Sequence, residues 1–154
     1  MVYVRPLLEH NTVIWSPHLK YNIEAIERVQ RRFTKRLPGL NNYTYSERLL
    51  RLGIPTLELR RLRSDLIWCY KIIFGCINVT TREFLIRRST STTWGHPYKL
   101  YKNHSSCTAR SSFFSERVVN IWNSLPADTD FSSLSGFICQ INRLDFIEFR
   151  SISF

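Results

Sequence analysis

Residues 23–39 read IEAIERVQRRFTKRLPG, and the winding of this stretch decides what kind of protein the chain builds. At about 100° per residue, Ile23, Ile26, Val29, Phe33 and Leu37 gather on one arc, while Arg28, Arg31, Arg32, Lys35 and Arg36 fill the opposite one. The pattern predicts an amphipathic helix with a basic back, stopped at Pro38-Gly39. The apolar arc must be covered by the rest of the chain. The basic arc, with only Glu24 and Glu27 as acidic neighbours, is either free to meet an anion or a solvated face partly paired with those two carboxylates.

Upstream, Ser16-Pro17 supplies an N-cap serine and a proline at the first helical position, so the helix is expected to begin there or to restart at Asn22. Residues 1–9, MVYVRPLLE, open with no capping residue and no linker, a start that reads as cut from something longer. Downstream, Thr44-Tyr45-Ser46-Glu47 fits a capping box before a short helix through Leu49, Leu50 and Leu52, closed by Gly53 and Pro55. Thr56 caps the next helix, predicted over Leu57–Phe74 with a core face of Leu59, Leu62, Leu66, Cys69, Tyr70 and Ile73. Its second half is apolar nearly all round, with Ile67, Trp68, Ile72 and Phe74 on other faces, and is expected to be buried on several sides.

Gly75 ends that helix. Residues 76–93 are irregular, with a brief apolar patch at Glu83-Phe84-Leu85-Ile86 and a Ser/Thr run at 89–93. Residues 94–102, WGHPYKLYK, suit a short strand, although Pro97 argues against a central one. Ser111 or Ser112 is expected to cap a helix carrying Phe114, Val118, Ile121, Trp122 and Leu125, stopped by Pro126, and a last helix from about Ser133 aligns Leu134, Phe137, Ile138, Ile141 and Leu144. The tail, 146–154, is apolar and uncapped. The expected fold is all-α, four or five helices around Leu57–Phe74 in a single domain, with 1–75 helical, 76–110 irregular and 111–145 a C-terminal helical pair.

The 154 residues carry 22 Lys+Arg against 12 Asp+Glu, a net charge of +10, which points to a polyanion such as RNA or DNA or to an anionic membrane surface; solubility alone also accounts for it. The excess sits in the first two-thirds. No secretory signal and no run of about 18 apolar residues occurs, so neither secretion nor a membrane span is predicted, and an intracellular, nuclear or cytoplasmic site is expected. The sequons at Asn42, Asn78 and Asn103 are then accidental. Cys69, Cys76, Cys107 and Cys139 show no Cys-x-x-Cys pair and read as buried free thiols.

Two further basic groups stand out. Arg60, Arg61 and Arg63, with Lys71, repeat the choice between phosphate binding and a solvated or fold-internal role. Trp94, Tyr98, Lys99, Tyr101, Lys102 and His104 interleave aromatic and basic residues, a composition for stacking unpaired bases or, more simply, for packing on the helices. His104-Ser-Ser-Cys107 has usable zinc spacing, but Cys69, Cys76 and His96 supply no close second pair, so no metal or cofactor is expected. No Gly-x-Ser-x-Gly, no His-Glu-x-x-His and no phosphate-cradling glycine loop occurs, and no intrinsic enzymatic activity is expected.

Three segments taken together, VRPLLEHNTVIWSPHLKYNIEAIERVQRRFTKRLPGL, YSERLLRLGIPTLELRRLRSDLIWCYKIIFG and FFSERVVNIWNSLP, resemble the C-terminal part of reverse transcriptases encoded by non-LTR retrotransposons of the jockey and chicken-repeat type. The resemblance runs from about Val4 to Asp145. It implies a thumb-like region over 1–75, a partner in the RNA–DNA template–primer, and a polymerase palm carried upstream in the parent protein, against which these helices would dock. The family's catalytic Asp-Asp pair has no counterpart among Asp65, Asp128, Asp130 and Asp145, so the resemblance implies a non-catalytic, truncated copy. A helical protein–protein interaction module and a decayed reading frame are the alternatives.

Overall fold

The computed structural model describes residues 9–17, 19–78, 85–87, 95–104 and 107–144. The expectations for residues 1–8, for Phe84 and the Ser/Thr run, for Trp94, and for Asp145 and the tail lie outside them. Among the described residues the architecture is mainly helical, an all-α fold: α1 (Lys20–Lys35), α2 (Tyr45–Leu52), α3 (Leu57–Ile73), a single turn α4 (Thr108–Ser111), α5 (Phe114–Asn123) and α6 (Leu134–Arg143). One two-residue ladder accompanies them. In it β1 (Ile86–Arg87) runs antiparallel to β2 (Leu100–Tyr101), pairing Ile86 with Tyr101 and Arg87 with Leu100. The chain divides into two compact units, Met1–Leu62 and Arg63–Phe154, so the boundary falls within α3.

In the first unit the local signals act as read. The Thr44 hydroxyl accepts from the Glu47 amide at 3.4 Å while the Glu47 carboxylate accepts from the Thr44 amide at 2.7 Å, closing the capping box. Gly53, at φ 61°, takes the left-handed C-cap of α2 that a side chain would strain. The Thr56 hydroxyl accepts from the Leu59 amide at 3.3 Å and caps α3. The start of α1 differs from expectation: it begins at Lys20 with Leu19 as N-cap, neither at Ser16-Pro17 nor at Asn22. Leu19 has no side-chain acceptor to offer, and this end of the helix carries no side-chain cap.

The second unit is built on aromatic packing. Tyr70 stacks on Phe74 at 4.4 Å and on Phe137 at 4.8 Å, and Phe131 lies among Phe74, Tyr98, Trp122 and Phe137. The side-chain amide of Asn123 reads the Leu100 backbone on both sides, accepting from its N–H at 2.8 Å and donating to its carbonyl at 2.9 Å, in effect a further rung on β2. α5 begins after Phe113, not after a capping serine, while α6 is capped as read by Ser133, whose hydroxyl accepts from the Gly136 amide. The apolar second half of α3 is not buried all round: Leu66, Cys69, Tyr70 and Ile72 are buried, but Trp68 remains 39% exposed beneath the Lys71 ammonium. All four cysteines are free, and only Cys69 is buried; Cys76, Cys107 and Cys139 are exposed, against expectation.

Candidate nucleic-acid interface

α1 is sharply two-sided, though its inner face is not the expected apolar one. The two residues it buries are Gln30 and Thr34, flanked by half-buried Ile23, Ile26, Phe33 and Leu37, while Val29 lies outside at 40% exposure. This polar seam is satisfied. The Gln30 amide donates to the Tyr45 hydroxyl at 3.2 Å and to the Pro55 carbonyl at 3.1 Å, and the Thr34 hydroxyl donates to the Arg31 carbonyl.

Glu27 belongs to this inner side. One carboxylate oxygen accepts from the Tyr45 hydroxyl, and the other accepts from the Leu57 amide at 3.0 Å, placing negative charge at the N-terminal end of α3 where the helix dipole favours it. Burial first, and then the bond to Glu27, push the Tyr45 hydroxyl far above its ordinary pKa of 10.0, so it stays a donor at any physiological pH. The reading in which Glu27 partly neutralises the basic arc is therefore corrected. Its place on the helix, four residues after Ile23 and three before Gln30, is the signal that assigns it to the inner face.

Arg28, Arg31, Arg32, Lys35 and Arg36 are all exposed. Among the described residues no carboxylate forms an ion pair with any of them; the ion pairs lie elsewhere, at Arg60–Glu9 and Arg117–Asp65. Arg31 rests its guanidinium 5.0 Å above the Tyr45 ring, a contact that holds the group without neutralising it. Five cations thus share one face, with Glu24 among them, between Arg31 and Lys35 around the helix.

The second group takes the fold-internal alternative. Arg60 pairs with Glu9 at 2.5 Å, Arg61 is 6% exposed beneath Trp15 at 5.9 Å, and Arg63 donates to the Asn142 carbonyl at 2.8 Å. Arg61 has no route to a phosphate, which corrects its place among the candidate binding residues, and Arg60 and Arg63 are occupied within their own units. Of the third group, Tyr98 packs on Phe74 and Phe131, as the packing alternative has it, and half-buried Lys99 lies with its ammonium end over Gly95. Tyr101, Lys102 and His104 are exposed.

Two polar arrangements in the second unit escape sequence reasoning. Asp65, 7% exposed in its side chain, receives both prongs of Arg117 at 2.8 and 2.9 Å. His96, 2% exposed, meets the Trp122 carbonyl through Nε2 at 2.8 Å among the rings of Trp122 and Phe131. The partners lie tens of residues apart, so no local spacing announces them. Asp130 is engaged by the Ser132 hydroxyl and amide at 2.6 and 2.9 Å. Among the described residues no group of three His, Cys, Asp or Glu side chains is placed to hold a metal ion, and no helix is long and apolar enough to cross a membrane. Compared with known proteins, the chain matches no protein-family model, no curated protein and no solved structure, which leaves the charge and exposure of α1 as the strongest pointer to function.

Proposed function

We propose that the chain is a nucleic-acid-holding, non-catalytic part of a retrotransposon-type reverse transcriptase, in which the basic face of α1 tracks the phosphates of an RNA or DNA strand. The observation that supports this reading is the separation of charge on α1: five exposed cations on one side, and the nearest inner carboxylate, Glu27, committed to Tyr45 and Leu57. Each phosphate neutralised by such a cation releases counterions, so the affinity must fall steeply with salt. The sequence resemblance supports the assignment to a thumb-like element holding an RNA–DNA hybrid. The test is anisotropy of a labelled hybrid titrated at several salt concentrations. The wild type is expected to bind with a steep salt slope, and Arg31, Arg32, Lys35 and Arg36 all changed to Gln should remove most of the affinity and flatten the slope. Equal binding by that variant rejects the face.

A second reading, a helical module that docks on another protein such as a polymerase palm, draws on apolar side chains left in solvent in the first unit, Leu50 at 85% and Ile14 at 76%. Leu50→Lys separates the two, since it abolishes docking in the second reading and leaves hybrid binding unchanged in the first.

A further inference from the structure

The ring of Tyr21 stands 76% exposed in the first turns of α1. Arg28, Arg32 and Lys35 follow it at offsets of 7, 11 and 14 residues, which at about 100° per residue places all three within about 40° of it around the helix. Tyr21 therefore heads the same stripe that carries the unpaired cations, with exposed Ala25 leaving low ground between. The ring has no aromatic or hydrogen-bonding partner among the described residues, whereas Tyr43, Tyr45, Tyr70 and Tyr98 all pack against charged or aromatic neighbours. The first turn of α1 carries no acidic side chain, so the positive end of the helix dipole reinforces the field at this ring.

We propose that Tyr21 is a stacking platform for an unpaired nucleobase and that the α1 stripe takes single-stranded RNA or DNA, its base on Tyr21 and its phosphates along Arg28, Arg32 and Lys35. The proposal rests on the nucleic-acid reading above and names the form of the ligand. In a duplex the faces of the bases are occupied by their neighbours, so a flat ring in line with a row of cations has a partner only where a base is unstacked. From Tyr21 to Arg36 the stripe is about 22 Å long at 1.5 Å per residue, the length of roughly six stacked nucleotides at 3.4 Å each. Glu24 borders the stripe on one side, which favours a strand approaching from the opposite margin, over Ala25 and Arg36.

The test uses the full chain, a short oligonucleotide with 2-aminopurine near one end, and the blunt duplex of the same sequence. The single strand is expected to bind more tightly than the duplex and to change its 2-aminopurine fluorescence on binding. Tyr21→Leu should weaken single-strand binding roughly tenfold, abolish the fluorescence change and leave duplex binding unaltered, while Tyr21→Phe keeps both. Circular dichroism melting of each variant checks that the helix is intact. Wild-type behaviour in Tyr21→Leu, with binding still lost on changing Arg28, Arg32 and Lys35 to Gln, overturns the stacking role and leaves the phosphate-binding face standing. Absence of salt-sensitive binding to any oligonucleotide, or equal binding of polyglutamate, overturns the reading beneath it.

Discussion

At the scale of single residues, two glutamates three positions apart on α1 have opposite fates. Glu27 accepts from Tyr45 and from Leu57, and removing its carboxylate leaves the part-buried Tyr45 O–H donor and a helix-end amide without an acceptor. Glu27→Ala is therefore expected to cost about 2–3 kcal/mol in urea unfolding. Glu24→Ala, on the exposed face, should change stability by less than about 0.5 kcal/mol and should tighten oligonucleotide binding by removing negative charge beside Arg28. A reversed order of the two stabilities would reject the inward placement of Glu27. His96 makes a second residue-scale prediction. Its Nε2 faces a carbonyl oxygen and so carries the proton in the neutral ring, while its buried Nδ1 has no hydrogen-bond partner. Burial, seconded by the Lys99 ammonium and opposed by the bond to Trp122, holds the imidazole below its usual 6.5. The folded form thus binds fewer protons than the unfolded one near that pH, so stability is fully present above about pH 6.5 and declines as the pH falls below it. Asp130, held below 3.8 by the Ser132 hydroxyl and amide, contributes above that value and loses its contribution only in stronger acid. Unfolding midpoints followed from pH 7.5 down to 5.5 should fall for the wild type and run flat for His96→Gln; parallel profiles would remove His96 from the acid response.

At the scale of elements, the ends that carry their own hydrogen-bonding chemistry were legible and the others were not. Thr44 and Glu47, Thr56, and Ser133 announce helix starts because each cap is satisfied within three residues of sequence. Leu19 and Phe113 announce nothing, since an apolar N-cap offers no side-chain acceptor and leaves no local signal in the sequence. The same distinction separates the faces. The exposed cations of α1 were legible from periodicity, whereas the buried seam of Gln30 and Thr34 broke the expected apolar arc because partners from Tyr45 and Pro55 satisfy it. For Arg61 the sequence left a fold-internal role open without naming its neighbour Trp15, and Asp65 was hidden within α3, because a charged residue on a helix reads as solvated until its distant partner, here Arg117, is known. The capping box supplies the element-scale prediction. Thr44→Ala removes the hydroxyl acceptor while leaving the helix otherwise unchanged, and is expected to lower stability by about 1 kcal/mol. Thr44→Ser should recover most of that loss, and no difference between the two variants would mean that packing alone holds α2.

At the scale of the whole molecule, the excess of 10 positive charges sets how stability and binding respond to salt. In the first unit much of that charge is on α1 and its C-cap, where Lys20, Arg28, Arg31, Arg32, Lys35 and Arg36 lie exposed, and Arg60 and Arg61 are turned inward. Composition gave the sign and size of the charge but not this division, because burial decides which arginines a ligand meets. Like charges gathered on the folded surface repel, so a polyanion that binds only the folded chain both relieves that repulsion and raises the melting temperature by mass action. With a single-stranded oligonucleotide at about 100 times its dissociation constant, the stabilisation should approach 2.7 kcal/mol. With Arg31 and Arg36 also meeting phosphates beside Arg28, Arg32 and Lys35, five contacts on a single strand imply a log–log salt slope near 3.5, so raising salt from about 50 to 200 mM should weaken binding on the order of 100-fold. The ligand is then near its dissociation constant, and the stabilisation falls to about 0.4 kcal/mol. Thermal melts with and without oligonucleotide at the two salt concentrations measure this directly: a large shift at low salt should all but vanish at high salt. The variant with Arg31, Arg32, Lys35 and Arg36 changed to Gln keeps only Arg28 on the stripe and should show little shift at either. A shift that survives high salt, or one of equal size in that variant, would mean that the ligand is held by something other than the face of α1.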